Sequence, residues 1–323
     1  MIRVWIDEEN VNALVKTIKG VKFKADTFTD ENYYPPPSAN VEDVLRYFIV
    51  MVAMDHRLSR PNKPFEGFID GRWFHGADAL YKLGMKKWYE DREFFSPQRL
   101  KNVKVEDITS WLKLEKPRRV TVPDPEIRAY LLRDLGLKLE KLYNGSVLKL
   151  VNECNNRIKW FYGGFIDRLK VFKAYEDPVE KKSYLLLKFL SRRGLFKYYD
   201  VENEEVPVDN HLTRIALRVG IVKVSDEVLE KIKNNVEFKY WEDIILRITV
   251  RKAYKLVAIK SNISPLILDD LLWSFGRKYC KYDRPECLNF QSTIKCPFKN
   301  SCLAFKDPKY MVTEHKYLNT WYY

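Results

Sequence analysis

No stretch of this 323-residue chain approaches the roughly 18 consecutive apolar residues of a membrane-spanning helix. Its first residues, MIRVWIDEENV, place acids where a secretory signal needs an apolar core. An intracellular protein, cytoplasmic or nucleoid-associated and without a membrane partner, is therefore expected. Neither a repeat of fixed period nor a low-complexity tract is present, which argues against solenoids and biased linkers. Strand-like alternation is nearly absent as well, so the expected architecture is all-α. Cysteine is scarce: there are five, one alone at Cys154 and four crowded between Cys280 and Cys302. That distribution suits a reducing compartment and a metal site better than a disulfide framework.

Apolar residues and positive charge, by contrast, are plentiful. Hydrophobic residues make up 46% of the chain, which excludes a wholly disordered protein and is enough for two ordinary cores. Lysine and arginine outnumber aspartate and glutamate by 57 to 44, a net charge of +13, so the surface should attract an anion, with nucleic acid the first candidate. Both signs are interspersed, however, and an ordinary lysine-rich surface reads the same way.

Along the chain, apolar positions at helical spacing predict a helix from Ile6 to Ile18 that stops at Gly20. TFTDENYYPPPSAN reads as a stiff packed loop, and VEDVLRYFIVMVAMDHRL as a buried helix with His56 a partnered polar residue at its end. EKPRRVTVPDP looks like an interdomain connection, after which Asp124 and Pro125 have helix-start chemistry. These features suggest an N-terminal helical region at 1–118, a second helical domain at 119–222 and a third at 223–323.

Two constellations carry chemistry. In the first, Cys280, Cys287, Cys296 and Cys302 are separated by six, eight and five residues. Zinc sites usually use paired C-x2-C knuckles, and neither pair is present, so a four-iron four-sulfur cluster is favoured over zinc. Tyr279, Phe290 and Phe298 would bury such a cluster, giving it a structural role. In the second, two helices open with charged residues. Asp177-Pro178-Val179-Glu180 reads as a capped start that places Lys182 in the second turn, near the positive end of the dipole and beside Lys181. Both effects disfavour the ammonium, and a partly neutral lysine can attack C1′ of a nucleoside; the same pattern also fits a lysine that merely solvates a helix. Asp209 caps the next helix, where an ionised carboxylate of fixed direction can stabilise an oxocarbenium ion or orient water.

LDDLLWSFGRKYC with its three following cysteines resembles the end of the endonuclease III family, whose pattern is C-x6-C-x2-C-x5-C; here the middle gap is eight. VDNHLTRIALRVGIV is similar to the VDTH-x-x-R-x-x-x-RLGL segment of helix-hairpin-helix DNA glycosylases, and VEKKSYLLL to the VGRKTANVVL that follows their hairpin. The resemblance implies a helical two-domain glycosylase-like fold closed by a four-cysteine cluster loop. It makes Asp209 the catalytic aspartate and Lys182 the Schiff-base lysine of bifunctional members. Arg192, Arg193, Arg214 and Arg218 would be candidates for phosphate contact. The family's LPGVG hairpin, whose glycines let backbone amides reach a DNA phosphate, is replaced by DPVE. The DP-x-x-K form resembles archaeal 8-oxoguanine glycosylases, and a glycine-less relative with a large N-terminal addition resembles queuosine-salvage nucleosidases. The leading expectation is a DNA glycosylase, with or without lyase activity. The alternatives are a queuosine-salvage-like nucleotide N-glycosidase and a non-enzymatic nucleic-acid-binding protein.

Overall fold

The computed structural model describes residues 3–60, 63–115, 117–289, 291, 293 and 295–323. Helices dominate, in line with the scarcity of alternation, and the strands among the described residues form four short antiparallel pairs. One pair was legible but missed. Glu66–Ile69 and Arg72–His75 form a hairpin around Asp70 and Gly71, whose φ angles of 49° and 79° are both left-handed, as a two-residue primed turn demands.

The chain forms two compact units, and they divide it elsewhere than the expected 118/119 and 222/223 boundaries. One unit comprises Met1–Asp26 with Glu204–Thr320, the other Thr27–Asn203 with Trp321–Tyr323. In the first, strand Val4–Ile6 pairs antiparallel with Val222–Val224, a contact between distant segments that no local pattern announces. The helix Glu8–Lys19 buries Val11, Leu14, Val15 and Ile18 in a core shared with the helices Asn210–Val219, Tyr240–Ser261 and Pro265–Lys278. Gly220, with φ of 88°, ends the helix Asn210–Val219. A Cβ there would lie 2.7 Å from Leu303 Cβ, so the site accepts only glycine.

In the second unit, the helix Val41–Ala53 is buried without a break from Tyr47 to Ala53, as its all-round apolar sequence predicts. It packs against the helix Lys181–Arg192. The expected interdomain connection lies inside this unit, where Lys113–Leu114 pairs with Val120–Thr121. Asp124 is not the side-chain cap its sequence suggests. It sits at φ 53° with its carboxylate on Arg60, and the helix Pro125–Tyr143 starts without it.

Candidate active site

Lys182 belongs to the second unit. The helix Lys181–Arg192 starts one turn later than expected, with Glu180 at φ 61° preceding it, so Lys182 is in the first turn. Asp177 stays outside the helix and turns its carboxylate onto the backbone N–H groups of Val179 and Lys181, at 3.0 Å each. Glu180 in turn accepts from Lys159 and Lys170, both at 2.8 Å. The Lys182 side chain is fully buried, and its Nζ donates to Ala53 O at 2.6 Å and lies 3.1 Å from His56 Nδ1. Burial, followed by the Lys181 and Arg128 cations, holds the ammonium well below its ordinary pKa, against the pull of Asp55 and Asp177.

His56 is the residue the sequence undervalued. Burial, then Arg128 and Lys182, hold it neutral well below the ordinary histidine range. Lys182 and His56 meet through Nδ1, with donor and acceptor set by the imidazole tautomer. His56 Nε2 is buried and has no partner among the described residues. Arg128, itself wholly buried, fixes the turn by donating to Pro123 O at 2.8 Å, to His56 O at 2.6 Å and to Met54 O. Lys181 reaches Asp55 O at 3.1 Å and its carboxylate at 3.8 Å. Burial and then Asp55 raise the pKa of Tyr81 well above the usual phenol, and the Tyr81 hydroxyl, like Ser183 Oγ, is buried without a partner among the described residues. The only signal for this cluster was the polar run Asp55-His56-Arg57 directly after an apolar helix.

Asp209 belongs to the first unit and caps the helix Asn210–Val219 as predicted, its Oδ1 accepting from Leu212 N at 2.8 Å. It is half-buried, and Oδ2 takes no hydrogen bond among the described residues. Around it, Glu314 accepts from Asn210 Nδ2 at 2.7 Å and pairs with Arg214. Burial raises the Glu314 pKa; Arg214 opposes the rise, and Asp209 adds to it. Arg247, in a fully buried pair with Asp243 at 3.0 Å, reaches Val208 O at 3.4 Å, and Asp243 also meets His315 Nε2 at 2.8 Å. His211 Nδ1 lies 3.2 Å from Arg214, its buried Nε2 has no partner among the described residues, and burial and Arg214 depress its pKa to about 4.

Arg214 and Arg218 are buried, because the segment after residue 279 covers what the helical pattern presents as a polar face. Arg214 donates to Cys280 O at 2.9 Å, and Arg218 to Val312 O, Lys281 O and Tyr282 O at 2.7–2.8 Å. Arg193 donates to Phe28 O and Pro35 O at 2.8 and 2.9 Å, fastening the stiff proline loop, and Arg192 is half-buried at the helix end.

Cys154 is the buried small residue its sequence predicts, donating to Leu150 O at 3.1 Å. Among the described residues no three Cys, His, Asp or Glu side chains are drawn into a ready-made metal site, and no cysteine is oxidised. Burial first, and the neighbouring thiols after it, push Cys296 up to about 12 and Cys302 to about 11, and raise Cys287. Four thiolates are the donor set that an iron–sulfur cluster or a zinc ion uses. Arg218 Nη1 lies 3.4 Å from Cys280 Sγ, and Phe298 packs on Phe275 at 4.1 Å; Phe290 lies outside the described residues.

Curated relatives share this chain's sequence at low identity. The queuosine 5′-phosphate N-glycosylase/hydrolase of Dictyostelium discoideum is 22% identical over 200 residues, 56% of this chain and 60% of that protein. The endonuclease III homolog of Encephalitozoon cuniculi (strain GB-M1) is 23% identical over 168 residues, 50% of this chain and 61% of that protein. The chain thus spans about three fifths of these relatives' length. Among solved structures, a trapped endonuclease III–DNA covalent intermediate superposes with a TM-score of 0.48 at 15% identity, covering 93% of this chain and 96% of that one. A thermostable thymine-DNA glycosylase gives 0.43 at 12% identity, covering 93% and 98%. The family model described as queuosine salvage protein matches residues 37–293, a span that includes His56, Lys182 and Asp209, and the chain belongs to that family.

Proposed function

We propose that the chain is an N-glycosidase that hydrolyses the bond between base and sugar in a free nucleotide of the queuosine 5′-phosphate type. Membership of the salvage family supports this reading, and one structural observation carries it over a DNA substrate. The amides of Val179 and Lys181, which a glycine hairpin would offer to a DNA phosphate, are already taken by the carboxylate of Asp177. The anion-binding capacity of that unit lies instead in Lys182 and His56. As an ammonium, Lys182 would have one N–H donor beyond those directed at Ala53 O and His56 Nδ1, and the Nε2–H tautomer of His56 would add another. A 5′-phosphate would take both, and its charge would raise the depressed lysine pKa.

Asp209 supplies the chemistry. Its free Oδ2 would hold a water or face the developing oxocarbenium ion; water oxygen bonds to C1′, the C1′–N bond breaks, and its electron pair and a proton go to the departing base. A four-iron four-sulfur cluster, or zinc, would be held by Cys280, Cys287, Cys296 and Cys302. Bound there, it would staple the loop to the helix through Arg218.

The test is base release from queuosine 5′-phosphate, followed by chromatography, beside damaged and abasic duplex DNA. Release from the nucleotide that is lost in Asp209→Asn is the expected result. Base release from duplex with the nucleotide left intact would reverse the substrate assignment in favour of a DNA glycosylase, a reading supported by the endonuclease III homolog and the cysteine tail.

A further inference from the structure

Asp55 stands where helix electrostatics disfavour it. The helix Val41–Ala53 has no basic residue in its last turn, and Asp55 follows directly on its C-cap Met54, so the anion lies at the negative end of the dipole. Among the described residues the carboxylate accepts no hydrogen bond. Its ion-pair partner, Lys181 Nζ, is 3.8 Å away and donates instead to Asp55 O, at 3.1 Å. The side chain is 15% exposed, so a solute can reach it. Tyr81, on the helix Gly76–Glu90, is the complementary case. Its ring is held by Tyr34 and Phe189, with centroids at 5.7 and 5.8 Å, and Tyr47 donates to its carbonyl at 3.2 Å. Its hydroxyl is nevertheless buried with no partner among the described residues, which a folded chain rarely tolerates without a function.

The two groups sense one another. Burial first, and the Asp55 anion next, hold the phenol well above its ordinary range, and Asp55 also opposes the burial, Lys181 and Arg128 that depress Lys182. Asp177, the other acid that acts on Lys182, is engaged with backbone amides. A carboxylate without a donor and a hydroxyl without an acceptor can be satisfied by one ligand group. A vicinal diol offers two O–H donors at about the spacing of the carboxylate oxygens, and its lone pairs accept from the phenol. Carboxylates hold ribose hydroxyls in dinucleotide-binding folds by the same chemistry. A phosphate would be repelled by Asp55. With a 5′-phosphate on Lys182 and His56, the next atoms of a nucleotide, one methylene away, are those of the sugar, and Asp55 precedes His56 in the same turn. A base edge with paired N–H donors also suits a carboxylate, but it lies beyond the sugar.

We infer that Asp55 and Tyr81 bind the 2′,3′-diol of the substrate's ribose and so select a ribonucleotide over a 2′-deoxyribonucleotide, an inference that rests on the phosphate site assigned to Lys182 and His56. Titration calorimetry of the full chain with ribose 5-phosphate, 2-deoxyribose 5-phosphate and inorganic phosphate tests it. Ribose 5-phosphate should bind about 10- to 150-fold more tightly than the deoxy sugar, the range of a hydrogen bond to a charged group. Asp55→Asn should cut that preference to about threefold or less, while inorganic phosphate binds as well or better. Tyr81→Phe removes only an unpartnered hydroxyl, so the melting temperature should hold while ribose 5-phosphate weakens by about tenfold. Equal binding of the two sugar phosphates, or a preference that survives Asp55→Asn, would overturn the diol assignment and leave the phosphate site standing. A preference for guanosine over inosine 5′-phosphate that Asp55→Asn abolishes would overturn it by moving the carboxylate to the base edge. Failure of all three ligands to bind would remove the phosphate site and the inference together.

Discussion

The two histidines His56 and His211 sit in different units and in matching circumstances. His56 is buried and His211 partly so; each has Nδ1 facing a basic side chain, Lys182 Nζ at 3.1 Å and Arg214 Nη2 at 3.2 Å, and each has a buried Nε2 without a partner among the described residues. Their surroundings then diverge. Beside His56 the lysine is buried, donates to the carbonyl of Ala53 and among the described residues has no carboxylate hydrogen-bonded to it. Beside His211 the cation is neutralised by Glu314, and the half-exposed Asp209 retains an oxygen with no bond to the described residues. One region thus holds a buried lysine on neutral partners, and the other a half-exposed carboxylate.

Asp209→Asn breaks the comparison most severely. The amide still caps the helix but carries no charge, so kcat for nucleotide hydrolysis should fall about 1,000-fold with little change in melting temperature. A loss below tenfold would remove Asp209 from the chemistry. Lys182→Met tests the other region, and the effect should appear in KM. Loss of a charge-assisted bond to phosphate predicts a rise of about 10- to 150-fold for the 5′-phosphate and little change for the unphosphorylated nucleoside. Methionine matches the length and removes the cost of burying the ammonium but leaves Ala53 O and His56 Nδ1 without their partner, so the melting temperature should fall modestly and KM is compared on the folded variant. Equal effects on nucleotide and nucleoside would show that the lysine does not meet phosphate.

Glu314→Gln gives a finer separation. The variant keeps an acceptor for Arg214 but offers an amide where Asn210 Nδ2 donates, loosening the start of the Asp209 helix. A fall of about tenfold in kcat with KM unchanged is expected, the reverse of the Lys182 signature.

These two regions were not equally readable. Asp209 was legible because a cap is a local device: the carboxylate and the Leu212 amide are three residues apart, and Gly220 marks the other end. Lys182 was legible only as a lysine near a helix start, since Ala53 and His56 are about 130 residues upstream and Arg128 more than 50. Local rules also misled where a distant partner competed. Asp124 left its capping position for Arg60, and Arg214 and Arg218 look like a solvated face until the segment 280–314 covers them. The two compact units divide the chain elsewhere for the same reason, because pairing of Val4–Ile6 with Val222–Val224 carries the first residues into the later unit.

The smallest expected effect concerns the feature the two regions share. In the folded chain His211 titrates at about 4, against about 6.5 when unfolded, so between those values the unfolded chain binds the extra proton. Stability must then fall as the pH drops through this window, by up to roughly 3 kcal/mol from this residue, and be fully present above it. His56 acts in the same direction. Thermal melts from pH 7 to pH 4 should show the decline, and His211→Gln should flatten it without altering the neutral-pH KM. Gly276→Ala is the steric counterpart, because a Cβ there would lie 2.0 Å from His211 Nε2 and must displace the ring. If displacement leaves both the acid decline and kcat intact, the buried ring is filler, and the likeness between the two histidines is one of packing alone. If it lowers kcat and leaves KM unchanged, His211 acts through Arg214 and Glu314 to hold Asp209.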